Sequence, residues 1–325
     1  MASNSSQCLA MAFLKMWSIP PLAALLLLLS IVPTGSEVVK SMSECAGFVL
    51  NETPPNVPGI LEGGNILDQN RYKAICQTHL DIKRYVTLYD TTNKIPVFSA
   101  SKYIGTSSIG RPKNEGWKTE PQLEDIKGNE NMMMDGKGNT YNNQAGNSDY
   151  TNQGFDRGHL FPSSYASTVD DKKSTFTLTN VVPQNDKFNQ GSWNKMEKCI
   201  KCVLDKYCIN NNDIKEGFLV IGAQPGNNII SNKVNVPSML WSAFCCYSKS
   251  EKRWLASAHW GPNIDGETDL QTKTLADLQS ELSKVSSGFE VFPGTECPLD
   301  TTVTQFYQDL NDGNKECQCN PSSKT

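Results

Sequence analysis

After residue 36 the chain carries ten cysteines: Cys45, Cys76, Cys199, Cys202, Cys208, Cys245, Cys246, Cys297, Cys317 and Cys319. An even set of this size predicts up to five disulfides if the chain enters an oxidising compartment. The leader points to that route. Met1 to Lys15 holds one positive charge and no acid, Leu22 to Val32 is an apolar run, and Pro33-Thr34-Gly35-Ser36 is a small-residue exit. The run is too short to span a bilayer, so residues 1–36 are expected to be a secretory signal peptide and the mature chain to be secreted. An uncleaved anchor is the alternative. Cys199-x-x-Cys202 with Cys208 could begin a zinc site, but no histidine lies near and the route is secretory. Pairing is open, except that the neighbours Cys245 and Cys246 should take different partners.

Residues 37–295 read as one folded domain and residues 296–325 as a cysteine-bearing polar tail. Glu37 to Asp81 looks loop-rich, with Pro54-Pro55 and Gly63-Gly64 as breakers and Asn51-Glu52-Thr53 as a glycosylation triplet. Tyr85–Tyr89 and Ile95–Tyr103 predict paired strands around a Thr91–Lys94 turn. Ile126–Gly154 is a long polar loop, and loops of that length inside a domain are often functional. Short strands follow near Phe155–Leu160 and Thr175–Val182. Trp193, Met196, Ile200, Val203 and Tyr207 then recur at helical spacing and predict a helix over 190–207. Phe218–Ala223, Met239–Tyr247 and Arg253–Trp260 predict strands, and Leu270 to Val285 a late helix stopped by Gly288. Strands and helices mix without βαβ regularity, so the class is α+β.

Lys15 is the one charged residue of the leader, so its loss takes the full chain's net charge of −4 to −5. An acidic whole excludes coating of nucleic acid by bulk charge. Two windows are nevertheless basic. Lys83–Lys118 holds seven cations against two acids, and Lys172–Lys206 seven against three. A local basic face is therefore possible, against the plainer reading of solvated lysines.

Three histidines make the search for a general base short. His79 has no catalytic neighbour, and His259, between tryptophans on a strand pattern, reads as a half-buried structural residue. His159 stands in Asp156-Arg157-Gly158-His159, directly after the polar loop. Phosphodiester cleavage needs a base for water, which imidazole supplies near neutral pH. It also needs positive charge at the phosphate, which a guanidinium supplies as a planar fork. Alone, four residues also fit a turn with an ion pair.

Downstream lie Thr179-Asn180-Val181-Val182-Pro183-Gln184-Asn185, Asn189-Gln190-Gly191-Ser192-Trp193 and Glu197; upstream lies Trp117-Lys118-Thr119-Glu120-Pro121. The Asp-Arg-Gly-His motif, the Asn-x8-Asn spacing (Asn180, Asn189) and the Asn-x7-Glu spacing (Asn189, Glu197) resemble the DNA/RNA non-specific endonucleases, the ββα-metal or His-Me finger nucleases. The resemblance covers roughly residues 80 to 260. It implies a mixed or antiparallel sheet with flanking helices, stapled here by disulfides, and a hairpin that carries the base. His159 would be that base, Asn189 the direct ligand of Mg²⁺ (or of Mn²⁺ or Ca²⁺), and Glu197 an acceptor orienting a metal-bound water. Asn180 would hold the metal shell or the base, and Arg157 would touch phosphate or order the hairpin. Asp156 is expected to fix the turn, and Trp193 to be core. The family often places a second arginine just before the Trp-Lys-Thr segment; here Arg111 or Lys113 could fill that role, with Lys118 as a further phosphate contact. The implied activity is secreted, metal-dependent hydrolysis of DNA and RNA without sequence preference, their backbone being the partner. A catalytically silent binder of nucleic acid or protein in defence, and a disulfide-stapled adhesion module, are the competing classes.

Overall fold

The computed structural model describes residues 37–266, 269–307, 310, 317 and 319; the leader lies outside the described residues. The strands that build the sheet and the site hairpin are β1 Val38–Val39, β2 Tyr72–His79, β3 Ile82–Asp90, β4 Ile95–Tyr103, β5 Asp156–His159, β6 Val181–Gln184, β7 Gly217–Gln224, β8 Met239–Ser248 and β9 Arg253–Pro262. The longer helices are α1 Val169–Ser174, α2 Asn194–Tyr207 and α3 Leu275–Ser283.

Seven strands form one sheet in the order β1-β2-β3-β4-β7-β8-β9, antiparallel at every pairing. Both faces are covered, so consecutive residues of a strand alternate between two cores. Tyr85, Leu219, Ile221, Leu240 and Phe244 pack towards α2, while Val86, Leu88, Val220, Trp241 and Ala243 pack with Leu275 and Leu278 of α3. The same alternation separates the neighbouring cysteines of β8. Cys246 faces the α2 side and joins Cys208, whereas Cys245 faces the α3 side and joins Cys297. Cys45–Cys76, Cys199–Cys319 and Cys202–Cys317 complete five disulfides, and the last two fasten the tail to α2. All three cysteines of the possible zinc motif are thereby consumed.

β4 and β7 are neighbours in the sheet, yet residues 104–216 intervene between them in sequence. That long excursion carries the β5–β6 hairpin, α1 and α2, and with them the site. Three sequence expectations are corrected here. Glu37–Asp81 is not all loop, since β2 lies within it; Ala74, Ile75, Cys76 and Gln77 are buried on both faces, so the strand lacks the alternation that marks a half-exposed one. The strand expected over 175–182 is a tight turn at Leu178–Asn180 leading into β6. The late helix begins at Leu275 and ends at Ser283, ahead of Gly288. His259 is buried on β9, its Nε2 3.1 Å from Thr272 Oγ1.

Candidate active site

β5 and β6 pair antiparallel, with Val182 opposite Gly158 and Val181 opposite His159. Glycine is required at 158 by close approach: a Cβ there would overlap Gln184 Oε1 and lie 2.6 Å from Gln184 Cβ. Beyond β6 the chain turns sharply into a helix. Asn185 caps it by accepting from Lys187 N (3.1 Å) and Phe188 N (3.2 Å). Buried Asn263 fixes the turn from outside, accepting from Asn185 N at 2.8 Å and donating to Pro183 O and Pro237 O. The motif did not contain Asn263, and no local pattern marks it.

After a short α-helical turn, Asp186–Phe188, the helix passes through a π-turn, Asn189–Trp193, before α2 begins. This changes the geometry expected from spacing alone. On a continuous α-helix, residues eight apart point ~80° away from each other. A π-turn absorbs one residue, so Asn189 and Glu197 are separated by the equivalent of seven, two turns and ~20°. Both side chains line one cleft of about 1000 Å³, together with Arg111, Trp117, Asp156, Arg157 and His159.

His159 sits in the cleft wall with its ring 5.4 Å from Trp117 and 5.1 Å from Phe176, centroid to centroid. Its Nε2 is buried and, among the described residues, without a hydrogen-bond partner. Nδ1 is the ring nitrogen left to face the cleft. Burial, reinforced by the Arg111 charge, holds the imidazole's pKa down to about 3. It is neutral at physiological pH and able to accept a proton.

Asp156 bridges hairpin and helix. Its Oδ2 accepts from Asn189 Nδ2 and from Gln190 Nε2, both at 2.9 Å. Committing Nδ2 in this way orients the Asn189 amide and leaves its carbonyl oxygen for the cleft. Asp156 therefore does more than shape its own turn. Glu197, partly exposed and one turn into α2, has its carboxyl pushed up to about 8 by desolvation. Arg111 and Lys198 pull the other way, as does the Trp193 indole N–H, although its geometry falls short of a hydrogen bond.

The cationic groups divide. Arg157 lies 5.5 Å above the Trp117 ring and 5.3 Å above Tyr150, and donates to Asn147 O at 2.9 Å. It thus ties the hairpin to the long polar loop. Arg111 stands 4.9 Å over Phe176 and lines the cleft, whereas Lys113 is exposed and has no place in the cleft lining. Lys118 does not reach the cleft. It is 3% exposed, and its ammonium donates inward to Glu115 Oε1 (2.6 Å) and Lys173 O (3.0 Å). Asn180 is fully buried, and both ends of its amide are used within the protein. It accepts from Phe161 N and Ser99 Oγ and donates to Phe161 O and Thr175 O. Of its two expected roles, the geometry fits holding the strand of the base and not the metal shell.

Among the described residues no cluster of three His, Cys, Asp or Glu side chains offers a metal cage. The donors that line the cleft beside His159 are one oriented neutral amide oxygen, of Asn189, and the carboxyl groups of Glu197 and Asp156. Such a set fits a hard divalent cation that keeps most of its water, as Mg²⁺ does, and not a thiolate- or imidazole-bound metal.

The sequence profile described as DNA/RNA non-specific endonuclease matches residues 63–296. The human endonuclease domain-containing 1 protein is 30% identical over 209 residues, 62% of this chain and 39% of its own length. The mitochondrial nuclease EXOG of Danio rerio is 29% identical over 126 residues, 38% of this chain and 32% of its own. The chain thus spans less than half the length of the curated relatives it matches. A crystal structure of an EndoG/EndoGI complex superimposes with a TM-score of 0.50 at 18% identity, covering 69% of this chain and 88% of that one, which supports the fold alone. With the family profile covering most of the chain, the protein belongs to the DNA/RNA non-specific endonucleases.

Proposed function

We propose that the chain is a secreted endonuclease that hydrolyses phosphodiester bonds of DNA and RNA without sequence preference and depends on a divalent cation, Mg²⁺ in the first instance. The observation that carries this reading is the convergence of a neutral imidazole, an oriented amide oxygen, a carboxyl and a guanidinium on one cleft. Five disulfides and the leader's composition support export. Among the described residues no helix is long and apolar enough to cross a membrane.

In this reading His159 takes the proton of the attacking water on Nδ1, and the Trp117 and Phe176 rings hold the imidazole in place. Asn189 and Glu197 would hold the cation and its water, with Asp156 keeping the amide oxygen forward. When bound, the cation would supply positive charge for the transition state and the leaving 3′ oxygen. Arg111 supplies fixed charge on the same side as His159, and its proximity lowers the base's pKa as a consequence. Recognition through phosphate carries no base code, which accounts for the absence of sequence preference.

A plasmid-nicking assay tests the proposal. Purified protein should nick in Mg²⁺, stop in EDTA, and recover on adding Mg²⁺ back. His159→Ala should lower the rate about 10²–10⁴-fold without loss of fold. Cleavage that ignored chelation, or a folded His159→Ala protein of full activity, would overturn it. The silent-binder reading would be favoured by oligonucleotide binding without any cleavage.

A further inference from the structure

The cleft does not end at His159 and Glu197. Its lining also includes Ser163, Lys172, Lys198, Lys201, Lys215 and Asp205. Asp205 is engaged by Lys201 (2.5 Å), Lys215 (2.9 Å) and the Tyr103 hydroxyl (2.8 Å), so one carboxylate is set against four ammonium groups. Lys172 is unusual among them. It is 4% exposed, and among the described residues its ammonium has one hydrogen-bond acceptor, Ser163 O at 3.2 Å. Burying a lysine with two of its three donors unused is costly unless something else accepts from them. Ser163, 5% exposed, also leaves its Oγ buried without a partner. An under-bonded ammonium and an idle hydroxyl thus belong to two residues joined by one hydrogen bond, and they line the same cleft as Lys198 and Lys201.

We propose that this part of the cleft wall is a second phosphate subsite, which takes a non-scissile phosphodiester of the same bound strand. The inference rests on the nuclease reading for its substrate class. The chemistry matches: a phosphodiester brings two anionic oxygens that accept from an ammonium and a hydroxyl at once, and lysine serves as a point charge for phosphate. Lys201, Lys198 and Lys215 provide the surrounding positive field. The subsite would lengthen the stretch of strand gripped beyond the single bond that is cut. Long substrates should therefore bind more tightly than a lone phosphodiester.

The test separates this subsite from the catalytic reading. A fluorescently labelled 12-mer DNA is titrated with full-length protein in EDTA, so that nothing is cut, at several salt concentrations. Lys172→Gln keeps a donor for Ser163 O but loses the charge. It should weaken binding about fivefold to tenfold and reduce the slope of log K against log salt by roughly 0.7, one phosphate's worth on a single strand. Lys172→Arg should restore both quantities. Exposed Lys198→Gln should move them in the same direction and decides the matter alone if Lys172→Gln does not fold. Lys249→Gln, outside the cleft and paired with Asp213, should change neither. Lys172→Gln and Lys198→Gln proteins that fold and bind with wild-type affinity and slope would overturn the subsite, whatever the enzyme cleaves. Wild-type protein that never cleaves, yet binds the 12-mer through Lys172, would instead remove the nuclease reading and leave the subsite standing.

Discussion

Asp156 makes no contact with the base, yet its replacement should cost activity through the ion. Its Oδ2 is the acceptor for both Asn189 Nδ2 and Gln190 Nε2. Hydrogen bonds to a charged acceptor contribute roughly 1.5–3 kcal/mol, and part exposure puts this pair near the low end. If about 1.4 kcal/mol of that favours the outward carbonyl of Asn189, losing it lets the amide turn its NH₂ forward as the preferred or equal state. The fraction competent to bind the cation then drops from about nine-tenths to about one half when the two states become equal, and the apparent affinity falls with it by about twofold. Asp156→Ala should raise the half-saturating Mg²⁺ concentration by that factor while kcat at saturating Mg²⁺ changes much less. Asp156→Asn retains one oxygen acceptor and should fall between the two. The assay is initial nicking rate against Mg²⁺ concentration for the three proteins, with thermal melts to confirm folding. An unchanged Mg²⁺ dependence in Asp156→Ala would refute the orienting role. Loss of all activity in Asp156→Asn, at any Mg²⁺, would show instead that the carboxylate's charge is needed directly.

The other expectations are simpler. Gly158→Ala should destabilise the protein by about 1–3 kcal/mol, because the new methyl overlaps the Gln184 side chain, its Cβ included; in melts, the double variant with Gln184→Gly should lose less than the two single variants summed, and strict additivity would place the strain elsewhere. Burial depresses the His259 pKa to about 3, so its contribution to stability is fully present above the unfolded value near 6.5 and is lost as pH falls towards 3. Urea midpoints between pH 7 and pH 4 should accordingly fall less steeply in His259→Gln than in wild type, and parallel curves would count against it. Native protein should show no alkylatable thiol at the ten cysteines from Cys45 to Cys319, and reduction should lower Tm sharply; several reactive thiols would contradict the pairing.

What could be read from the sequence follows from the range of the interactions involved. Strands such as Ile95–Tyr103 and Met239–Ser248 were legible because side-chain type and local spacing define them. β2 was hidden because it is covered on both faces and contains Lys73, Gln77 and Thr78, which blur its apolar signal. The Gln77 amide nitrogen is satisfied by a long-range network, its Nε2 donating to Thr87 Oγ1 and Thr179 Oγ1, and no local pattern announces such partners. The basic windows gave a half-right picture for the same reason. Arg111 from one and Lys172, Lys198 and Lys201 from the other do line a single cleft. Lys102, Lys118 and Arg84, however, are consumed by Glu216, Glu115 and Asp171. Counting charges does not show which are already neutralised.

The spacing between Asn189 and Glu197 shows most clearly where sequence and geometry part. Read as a plain helix, eight residues place the two side chains ~12 Å apart in rise and on diverging faces, which assigns them separate tasks. The π-turn at Asn189–Trp193 removes the divergence without removing the rise. Gly191, at φ −94° and ψ −106°, is where the backbone leaves helical geometry, and a glycine there bears that departure at small cost. The amide and the carboxyl thus address one cleft from successive turns, at a distance that leaves room for water between them. A cation held chiefly by water needs such an arrangement: one protein oxygen to fix it, and a second group one shell out to orient what it carries. The x7 interval of the motif is therefore the length of an interrupted helix, and a continuous one of equal length would direct Glu197 away from the cleft.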